Sequence, residues 1–364
     1  MEIDYLKLIN FRNFINREFR FEAVGALIHG RNGVGKTNLL EAISYFAFGK
    51  SFQNSKDAEL INFLKAFFRL EGRIGLNGKK VTFSAAADRS KKIIKVDDQI
   101  ISRISELYQY LKVVYFSPVD IEIVAGQPAS RRNFIDQAVS QYSWEYITFL
   151  RNYHRVLKQR NALLKQDYNV SEKKSWDVQY VDLAIEIIKK RQEYLLQFVP
   201  LLQDYYFQIS NERDKLEVRY KYSFPIDSVF QSDSLHLDAA YLKASLTSHL
   251  EDSEEQEKHY ERSLCGPHLD DIEFTIDGHA ARIFGSQGQK RSLAIAIRLV
   301  QAKLISQYAA DMPILMFDDV LSDLDKNRAG KIMLLLRERH QIFIATPNKE
   351  IYRDFQLPEI ALNE

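Results

Sequence analysis

Apolar and polar residues alternate along the first third of the chain, and this period of two predicts strands. Asn77-Gly78 lies between two alternating runs and is typical of a hairpin turn. The apolar run at 113–116 is followed by Ser117-Pro118, so it predicts a buried strand. The predicted strands here are 3–10, 17–21, 68–74, 80–85, 93–96 and 113–116.

Helical periodicity replaces this alternation after Gly126-Gln127-Pro128. Two patterns with few glycines, at 131–167 and 171–213, predict long helices that form an antiparallel arm, broken near Tyr168-Asn169. A strand at 217–224 and a helix at 239–258 follow. We expect the acidic tract 251–257 to be a solvated face of that helix.

Strands and helices alternate again from about residue 270, as in α/β proteins. The two ends of the chain therefore carry complementary halves of one α/β domain. We predict a discontinuous head at 1–128 and 264–364, interrupted by the helical arm at 129–263. The predicted elements are a strand at 272–276 with an Asp277-Gly278 turn, a helix at 288–307, a strand at 314–317, a helix at 326–339 and a strand at 341–345.

The chemistry of the chain is clearest where an apolar strand, 24–28, is followed by a glycine-bearing loop and an amphipathic helix. The G-x-x-x-x-G-K-T spacing in that order is the full phosphate-loop pattern. Its glycines bring backbone N–H groups against phosphate oxygens, Lys36 supplies charge at the β and γ phosphates, and Thr37 offers a hydroxyl to Mg²⁺. The sequence predicts a nucleoside triphosphate site. Its candidate residues are Gly30, Arg31, Asn32, Gly33, Val34, Gly35, Lys36, Thr37 and Asn38, with Arg12 and Asn13 from the preceding strand pair; turn capping is the alternative for Asn13.

Two adjacent carboxylates complete this prediction. The apolar strand 314–317 is followed by Asp318 and Asp319. Phosphate-loop enzymes hold Mg²⁺ with an acid at such a strand end, which suits Asp318 together with Thr37. Asp319 is placed to polarise the attacking water. We therefore predict Lys36, Asp318 and Asp319 as the catalytic residues.

Composition excludes some classes of protein. The chain has 364 residues with 50 basic and 49 acidic side chains, so it is not a uniformly basic nucleic-acid binder, although a local basic face is compatible with this balance. Cys265 is the one cysteine, which fits a reducing compartment and a structural role. The sequence contains neither a signal-peptide pattern nor an apolar run of membrane-spanning length, so we expect a cytoplasmic protein.

Ser286-Gln287-Gly288-Gln289 resembles the signature loop of ATP-binding-cassette ATPases, in which a helix N-terminus faces the γ-phosphate held by the opposite subunit. A polar helix cap explains the tetrapeptide alone equally well. Ser322 and Asp325 belong to a stretch that resembles the dimer-contact loop of the same class. This resemblance implies an ATP-sandwiched homodimer.

Seven motifs, taken in order, cover the chain nearly from end to end and resemble the RecF family of bacterial DNA replication and repair proteins. That family is similar to SMC heads with a much shorter arm. The resemblance implies a phosphate-loop head of the cassette type, binding of double-stranded and gapped DNA, and dimerisation with ATP. It also implies slow DNA-stimulated hydrolysis, RecR and RecO partners in loading the recombinase RecA, and a place in recombination and the SOS response. The motifs are Asn10-Phe11-Arg12-Asn13-Phe14, the phosphate loop, Phe116-Ser117-Pro118-x-Asp120, Arg131-Arg132-x-Phe134-x-Asp136, Gly266-Pro267-His268-x-Asp270-Asp271, Ser286-Gln287-Gly288-Gln289 and Asp318-Asp319-Val320-Leu321-Ser322.

The chain departs from the expected patterns at three positions. Leu269 stands where the family often has arginine, which removes one polar contact. Many cassette ATPases carry a switch histidine where this chain has Thr346, which is therefore a candidate γ-phosphate sensor. Asp319 stands where cassette transporters have glutamate, and its shorter reach is consistent with slow turnover.

Several polar residues have two interpretations. Arg131 and Arg132 either contact phosphate backbone or brace Asp120 and Glu122. His268 is interpreted as part of a hydrogen-bonded turn rather than a metal ligand. Candidate DNA-contact groups, each otherwise a solvated face, are Lys91-Lys92-Lys95, Lys173-Lys174 and Lys189-Lys190-Arg191.

Three other classes of protein are weighed against this one. A transporter ATPase subunit has a much shorter helical region between its phosphate loop and its signature. A small-molecule kinase leaves the segments 286–289 and 322–325 without a task. A short-armed SMC-type structural head is the nearest alternative, and stimulation of ATPase activity by gapped DNA separates the leading interpretation from the transporter and kinase.

Overall fold

The computed structural model describes residues 1–53, 55–76, 78–210, 213–226, 237–309, 312–320, 326–335, 340–350, 352 and 356–362. The chain forms two compact units, which are described separately. The first unit comprises 1–120 and 297–364, and the second comprises 121–296. The predicted domain bounds at 128/129 and 263/264 differ from the bounds of these units, because 121–128 and 264–296, which were predicted as head, lie in the second unit.

A five-stranded parallel sheet forms one layer of the first unit, in the order β14-β3-β13-β12-β8. Its central strands are almost continuously apolar because a parallel sheet is covered on both faces. The predicted strands at the phosphate loop, at 113–116, at 314–317 and at 341–345 are confirmed. The bounds are β3 Gly25–His29, β8 Val113–Phe116, β12 Ile314–Asp318, β13 Ile342–Thr346 and β14 Glu359–Ala361, the last of which the sequence pattern did not predict.

The other sheet of this unit is antiparallel, in the order β2-β1-β4-β5-β6-β7, and it confirms the predicted strand pair and the pairing of the predicted hairpin strands; Asn77 of the predicted turn lies outside the described residues. Helix α1 (Lys36–Phe48) shares a hydrophobic core with both sheets. Gly72 leaves room for Phe46 of α1, since an added Cβ would lie 2.7 Å from Phe46 Cε2. The bounds are β1 Glu2–Phe11, β2 Phe14–Arg20, β4 Phe67–Leu76, β5 Lys79–Asp88, β6 Lys92–Val96 and β7 Gln99–Ile100.

Helices dominate the second unit. Two of them form the predicted antiparallel arm, because Tyr153 bonds Tyr180 while Arg160, further along its own helix, bonds the earlier residue Asp177. The single helix predicted at 131–167 is wrong: Ser143 accepts a hydrogen bond from Tyr146 N and begins a new helix there. The bounds are α2 Ile121–Ala125, α3 Pro128–Ser140, α4 Trp144–Leu163, α5 Val170–Ile209, α6 Ala239–Asp252, α7 Glu254–Tyr260 and α8 Ala281–Phe284.

The acidic tract is only partly solvated, which corrects the prediction for 251–257. Glu257 is fully buried and accepts two hydrogen bonds from Arg160, at 3.0 and 2.5 Å. Arg160 is also fully buried and reaches Asp177 at 2.7 Å. Burial of a carboxylate is tolerated here because a guanidinium pairs with it.

A three-stranded sheet, β11-β10-β9, belongs to the second unit, and its strands pair antiparallel. Helix α9 (Gln287–Ala309) contains the boundary between the units at 296/297. Among the described residues, no helix combines the length and apolarity needed to cross a bilayer. The remaining bounds are β9 Leu216–Lys221, β10 Asp271–Ile276, β11 His279–Ala280 and α10 Lys326–Leu335.

Candidate nucleotide-binding site

The loop between β3 and α1 curls around the lysine that follows it. Lys36 Nζ donates to the carbonyls of Gly30 and Arg31, at 2.8 and 2.9 Å. Gly33 and Gly35 have φ of 87° and 103°, a left-handed conformation that favours glycine. Burial lowers the pKa of Lys36, while Asp319 and Asp318 act in the opposite direction. The loop is therefore shaped as a cationic cradle at a helix N-terminus, which suits an anion.

Thr37 and Asp318 meet although they are far apart in sequence. Thr37 Oγ1 lies 2.9 Å from both carboxylate oxygens of Asp318. Burial raises the pKa of Asp318, and hydrogen bonds from Tyr115 and Thr37 counteract this rise. A hydroxyl and a carboxylate at the edge of a phosphate cradle are oxygen donors of the kind that Mg²⁺ takes, so the two residues fit that ion. The described residues hold no cluster of three or more histidine, cysteine, aspartate or glutamate side chains suited to another metal.

Asp319 has an unusual backbone conformation. Its φ is 53°, and its N–H donates to Ala345 O over 2.8 Å. This left-handed turn directly after β12 re-aims the second carboxylate. Oγ1 of the fully buried Thr346 lies 3.4 Å from Asp319 Oδ1 and accepts a hydrogen bond from Asn348 N at 3.1 Å. The predicted sensor residue and the predicted water-polarising residue are thus neighbours.

Arg12 and Asn13 have different surroundings. Arg12 forms a two-pronged ion pair with the fully buried Glu41, at 2.7 and 3.0 Å, so α1 holds its guanidinium. Asn13 Nδ2 donates to Val34 O over 2.9 Å, and its Oδ1 accepts from Asn38 Nδ2 at 2.9 Å. Asn13 therefore fixes the loop itself, and a direct contact of either residue with nucleotide stays a prediction.

Sequence motifs did not identify two residues that support this site. Tyr115 donates from its phenol to Asp318 Oδ2 over 2.8 Å, and Glu41 anchors Arg12. Tyr115 is the one hydrogen-bonding side chain in the apolar run 113–116, next to the strand that carries Asp318. The hydroxyl of a tyrosine in a buried strand needs a hydrogen-bond partner, so the sequence could have indicated a role for Tyr115. In the same way, a glutamate on the apolar face of a helix needs a partner, which could have indicated a role for Glu41.

The predicted signature segment begins α9 in the second unit. Ser286 Oγ accepts from Gln289 N at 3.2 Å, and Gln289 Oε1 accepts from Ser286 N at 2.9 Å. This reciprocal pair is a capping box, so the capping interpretation is confirmed. Ser286 and Gln287 are exposed, and Gly288 and Gln289 are half-buried. Contact with a γ-phosphate stays a prediction, and the predicted dimer-loop residues Ser322 and Asp325 lie outside the described residues.

Arg131 and Arg132 have partners other than those predicted. Arg131 is buried and forms a two-pronged ion pair with Asp271, at 2.7 and 3.0 Å. Asp120 pairs instead with Arg298, at 2.6 Å. Bracing by Arg131 is therefore confirmed in kind but corrected in partner, because its guanidinium is held by β10. Arg132 donates from Nη1 to Asp270 O at 2.9 Å.

His268, Cys265 and several of the candidate DNA-contact residues are buried or paired within the chain. Leu269 N donates to Gly266 O over 2.8 Å, which confirms the hydrogen-bonded turn, and His268 Nδ1 lies 2.7 Å from Tyr153 Oη. Cys265 is buried, and burial raises the pKa of its thiol to about 12. Arg191 is 2% exposed and Lys173 is 5% exposed, so neither is a surface DNA contact in this structure. Lys92 pairs with Asp57 at 2.8 Å.

The fold and the site define a phosphate-loop NTPase head of the ATP-binding-cassette type with an inserted antiparallel helical arm. The family model described as the RecF/RecN/SMC N-terminal domain matches residues 2–358. The chain belongs to this family, and within it to the RecF group.

Similarity to curated relatives and to solved structures supports this assignment. The DNA replication and repair protein RecF of Heliobacterium modesticaldum is 33% identical over 363 residues, covering 98% of this chain and 95% of the relative. RecF of Staphylococcus aureus is 33% identical over 352 residues, covering 95% and 93%. A solved structure of the recombination mediator protein RecF with ATP, from the RecFOR pathway, has a TM-score of 0.87 at 30% identity, covering 96% and 94%. An SMC head, at 14% identity and a TM-score of 0.57, shares the fold.

Proposed function

We propose that this protein is an ATP-dependent DNA-binding switch of replication and recombinational gap repair. The observation that carries the proposal is the 2.9 Å contact between Thr37 of the phosphate loop and Asp318 of β12. It joins two motifs that lie 281 positions apart into one oxygen-lined site beside the Lys36 cradle. Similarity to RecF proteins, one of them solved with ATP, supports both the nucleotide and the repair role.

The chemistry proposed for the site is hydrolysis of ATP. The loop N–H groups and Lys36 bind the phosphates, and Thr37 and Asp318 would hold Mg²⁺, which neutralises phosphate charge when bound. Asp319 orients a water and accepts its proton as the water oxygen bonds to the γ-phosphorus and the bond to the β-phosphate oxygen breaks. Aspartate is shorter than glutamate by one methylene, so turnover is expected to be slow.

ATP is proposed to close a homodimer. The exposed Ser286 caps α9, and this helix N-terminus is suited to face the γ-phosphate held by a second copy. Closure requires ATP to bind the dimeric state better than the monomeric one. DNA is then held by the closed dimer at gaps or junctions, and hydrolysis releases it.

The proposed partners follow from the same similarity. The solved relatives belong to a pathway named for RecF, RecO and RecR. We propose that proteins of the RecR and RecO type meet this chain on DNA and that the assembly assists recombinase loading. A role on chromosomal DNA would place its action in the cytoplasm.

Size measurement with ADP and with ATP tests the dimer. Wild type is expected to dimerise only with ATP, Lys36→Met to fail through loss of binding, and Ser286→Arg to bind ATP yet remain monomeric. Ser248→Arg is the matched control, because Ser248 is an exposed helical serine of the same unit. ATP-dependent dimers that persist in Ser286→Arg would remove the sandwich from the proposal.

ATPase stimulation by gapped DNA tests the repair role. We expect faster turnover with a duplex–single-strand junction than with either DNA form alone. A response to duplex DNA without preference for a junction would favour the short-armed SMC-type alternative. Equal turnover with and without every DNA would contradict both DNA functions.

A further inference from the structure

A cavity of about 200 Å³ opens within the second unit, between α3, α4, α5 and the turn at Pro267-His268. A water takes about 30 Å³ in the liquid, so the cavity has room for a tetrahedral oxyanion with some of its hydration. Three helices supply most of its lining, and the turn at Pro267-His268 supplies the rest. The proposed ATP chemistry uses none of the lining residues.

Some hydrogen-bond donors of the lining residues have no acceptor among the residues that the structure describes. Arg132 donates from Nη1 to Asp270 O, and among the described residues its Nε and Nη2 have no acceptor. Asn133 and His154 are exposed at the same lining and make no hydrogen bond to any described group. A buried or half-buried guanidinium with open donor positions gains most from an anionic acceptor.

The charges around the cavity leave Arg132 under-compensated. The lining carries Arg132 and Arg191 against one carboxylate, Asp136. Arg191 is 2% exposed and binds Asp136 Oδ1 with two nitrogens, at 3.1 and 2.8 Å, so these two charges form a closed pair. The Arg132 charge remains.

Carboxylates behind the lining are also engaged. Asp271 pairs with Arg131, and Asp270 uses both oxygens to accept from Tyr220 and Ser223. They do not restore the balance at Arg132: burial, and then Arg191, lower the pKa of its guanidinium despite those carboxylates.

We propose that this cavity binds a phosphate group, which Arg132 holds with its free nitrogens while Asn133 and His154 contact it on the exposed side of the lining. Two phosphate oxygens match the spacing of two guanidinium N–H groups, and the negative charge of phosphate balances the positive charge of Arg132. The phosphate is either a free ion or the terminal group of a nucleotide. This inference does not depend on the proposed DNA function.

Equilibrium dialysis of the full chain with radiolabelled orthophosphate tests the site, with one equivalent of MgADP per chain so that the phosphate loop is filled without excess nucleotide to compete at the cavity. Wild type is expected to bind one phosphate per chain in addition to ADP. Arg132→Gln should weaken that binding about tenfold or more, because charge-assisted hydrogen bonds are lost. Arg155→Gln is the matched control, because Arg155 is exposed on α4 next to His154 but outside the lining. This variant should bind phosphate as wild type does.

His154→Glu is a second test variant, in case Arg132→Gln folds poorly. The substitution brings a negative charge to the exposed side of the lining and removes no hydrogen bond to a described residue. It should weaken phosphate binding as Arg132→Gln does. Thymidine monophosphate that binds at least as well as orthophosphate, while thymidine does not bind, would assign the phosphate to a nucleotide; orthophosphate alone would assign the free ion. Absence of phosphate binding to wild type, or binding unchanged in Arg132→Gln and His154→Glu, overturns the proposal and leaves the ATP-dependent dimer untouched.

Discussion

Tyr115 donates its phenolic hydrogen to Asp318 Oδ2 over 2.8 Å, from the strand next to the one that carries the carboxylate. Burial raises the pKa of Tyr115, so the phenol stays a donor. The carboxylate is thereby held between Thr37 on one side and Tyr115 on the other. The orientation of the proposed Mg²⁺ ligand thus depends on a side chain outside every nucleotide motif.

Replacing this tyrosine should impair turnover more than nucleotide binding. In Tyr115→Phe we expect ATP hydrolysis to fall about tenfold and half-saturation by Mg²⁺ to rise about tenfold, because residues that orient a metal ligand contribute at this level. ATP affinity should stay within about twofold, since the phosphate cradle is intact. Tyr108→Phe is the control, as its hydroxyl bonds no described residue. An unchanged Mg²⁺ requirement would show that Tyr115 only fills space.

Two loop glycines should differ in their tolerance of alanine. Both have positive φ, but a Cβ at Gly35 would lie 2.5 Å from Asn13 Oδ1, whereas nothing lies within 4 Å of one at Gly33. Gly33→Ala is expected to lose about 1–2 kcal/mol of ATP binding through backbone strain. Gly35→Ala should lose more, and Asn13→Ala should recover part of the difference in calorimetric titrations. Additive losses in the double variant would contradict the clash.

The buried ion pair of the arm should be sensitive to loss of one charge. Glu257→Gln leaves Arg160 with reduced compensation, and we expect the free energy of unfolding to fall by about 3–5 kcal/mol. Asp182→Asn removes an exposed pair with Lys243 and should cost less than about 1 kcal/mol. Both tryptophans, Trp144 and Trp176, lie in the second unit, so their fluorescence in urea reports this unit. Equal losses for the two variants would refute the difference in burial.

Acid should destabilise the second unit through His268. Burial, and then Arg132, lower the pKa of this histidine from 6.5 to about 4, with His154 and Arg160 acting in the same direction. The unfolded chain takes up the proton first, so stability is lost as the pH falls from about 6.5 to 4 and amounts to about 3 kcal/mol at the lower end. His268→Gln should flatten this window in urea titrations read by tryptophan fluorescence. Parallel profiles for wild type and variant would exclude His268 as the source.

The parallel sheet and the phosphate loop could be predicted from sequence because their signals are local. The apolar run that forms β3, the glycine spacing after it and the carboxylate at the end of β12 can each be recognised from a short stretch of sequence, without knowing which residues they contact in the fold. The break at Ser143 was missed because α3 and α4 share one helical period across it.

Partners of charged residues were the least predictable part. Arg131 pairs with Asp271, which is 140 positions away, and Arg160 pairs with Glu257, which is 97 positions away. Sequence spacing favours neighbours such as Asp120, but tertiary packing decides which carboxylate a buried guanidinium meets. The same reason explains why Tyr115 and Glu41 were overlooked, since their roles exist only once the strands and α1 are assembled.

The pairing of β3 has a consequence for biosynthesis. The strand that leads into the phosphate loop has β13 on one edge and β14 on the other, both supplied by residues 342–361. A growing polypeptide on the ribosome therefore makes its nucleotide motif early but leaves both edges of that strand bare until these late residues emerge from the exit tunnel. We therefore expect ATP capture only after residue 361 has been synthesised, and a product that stops before residue 342 should be unable to hold the nucleotide.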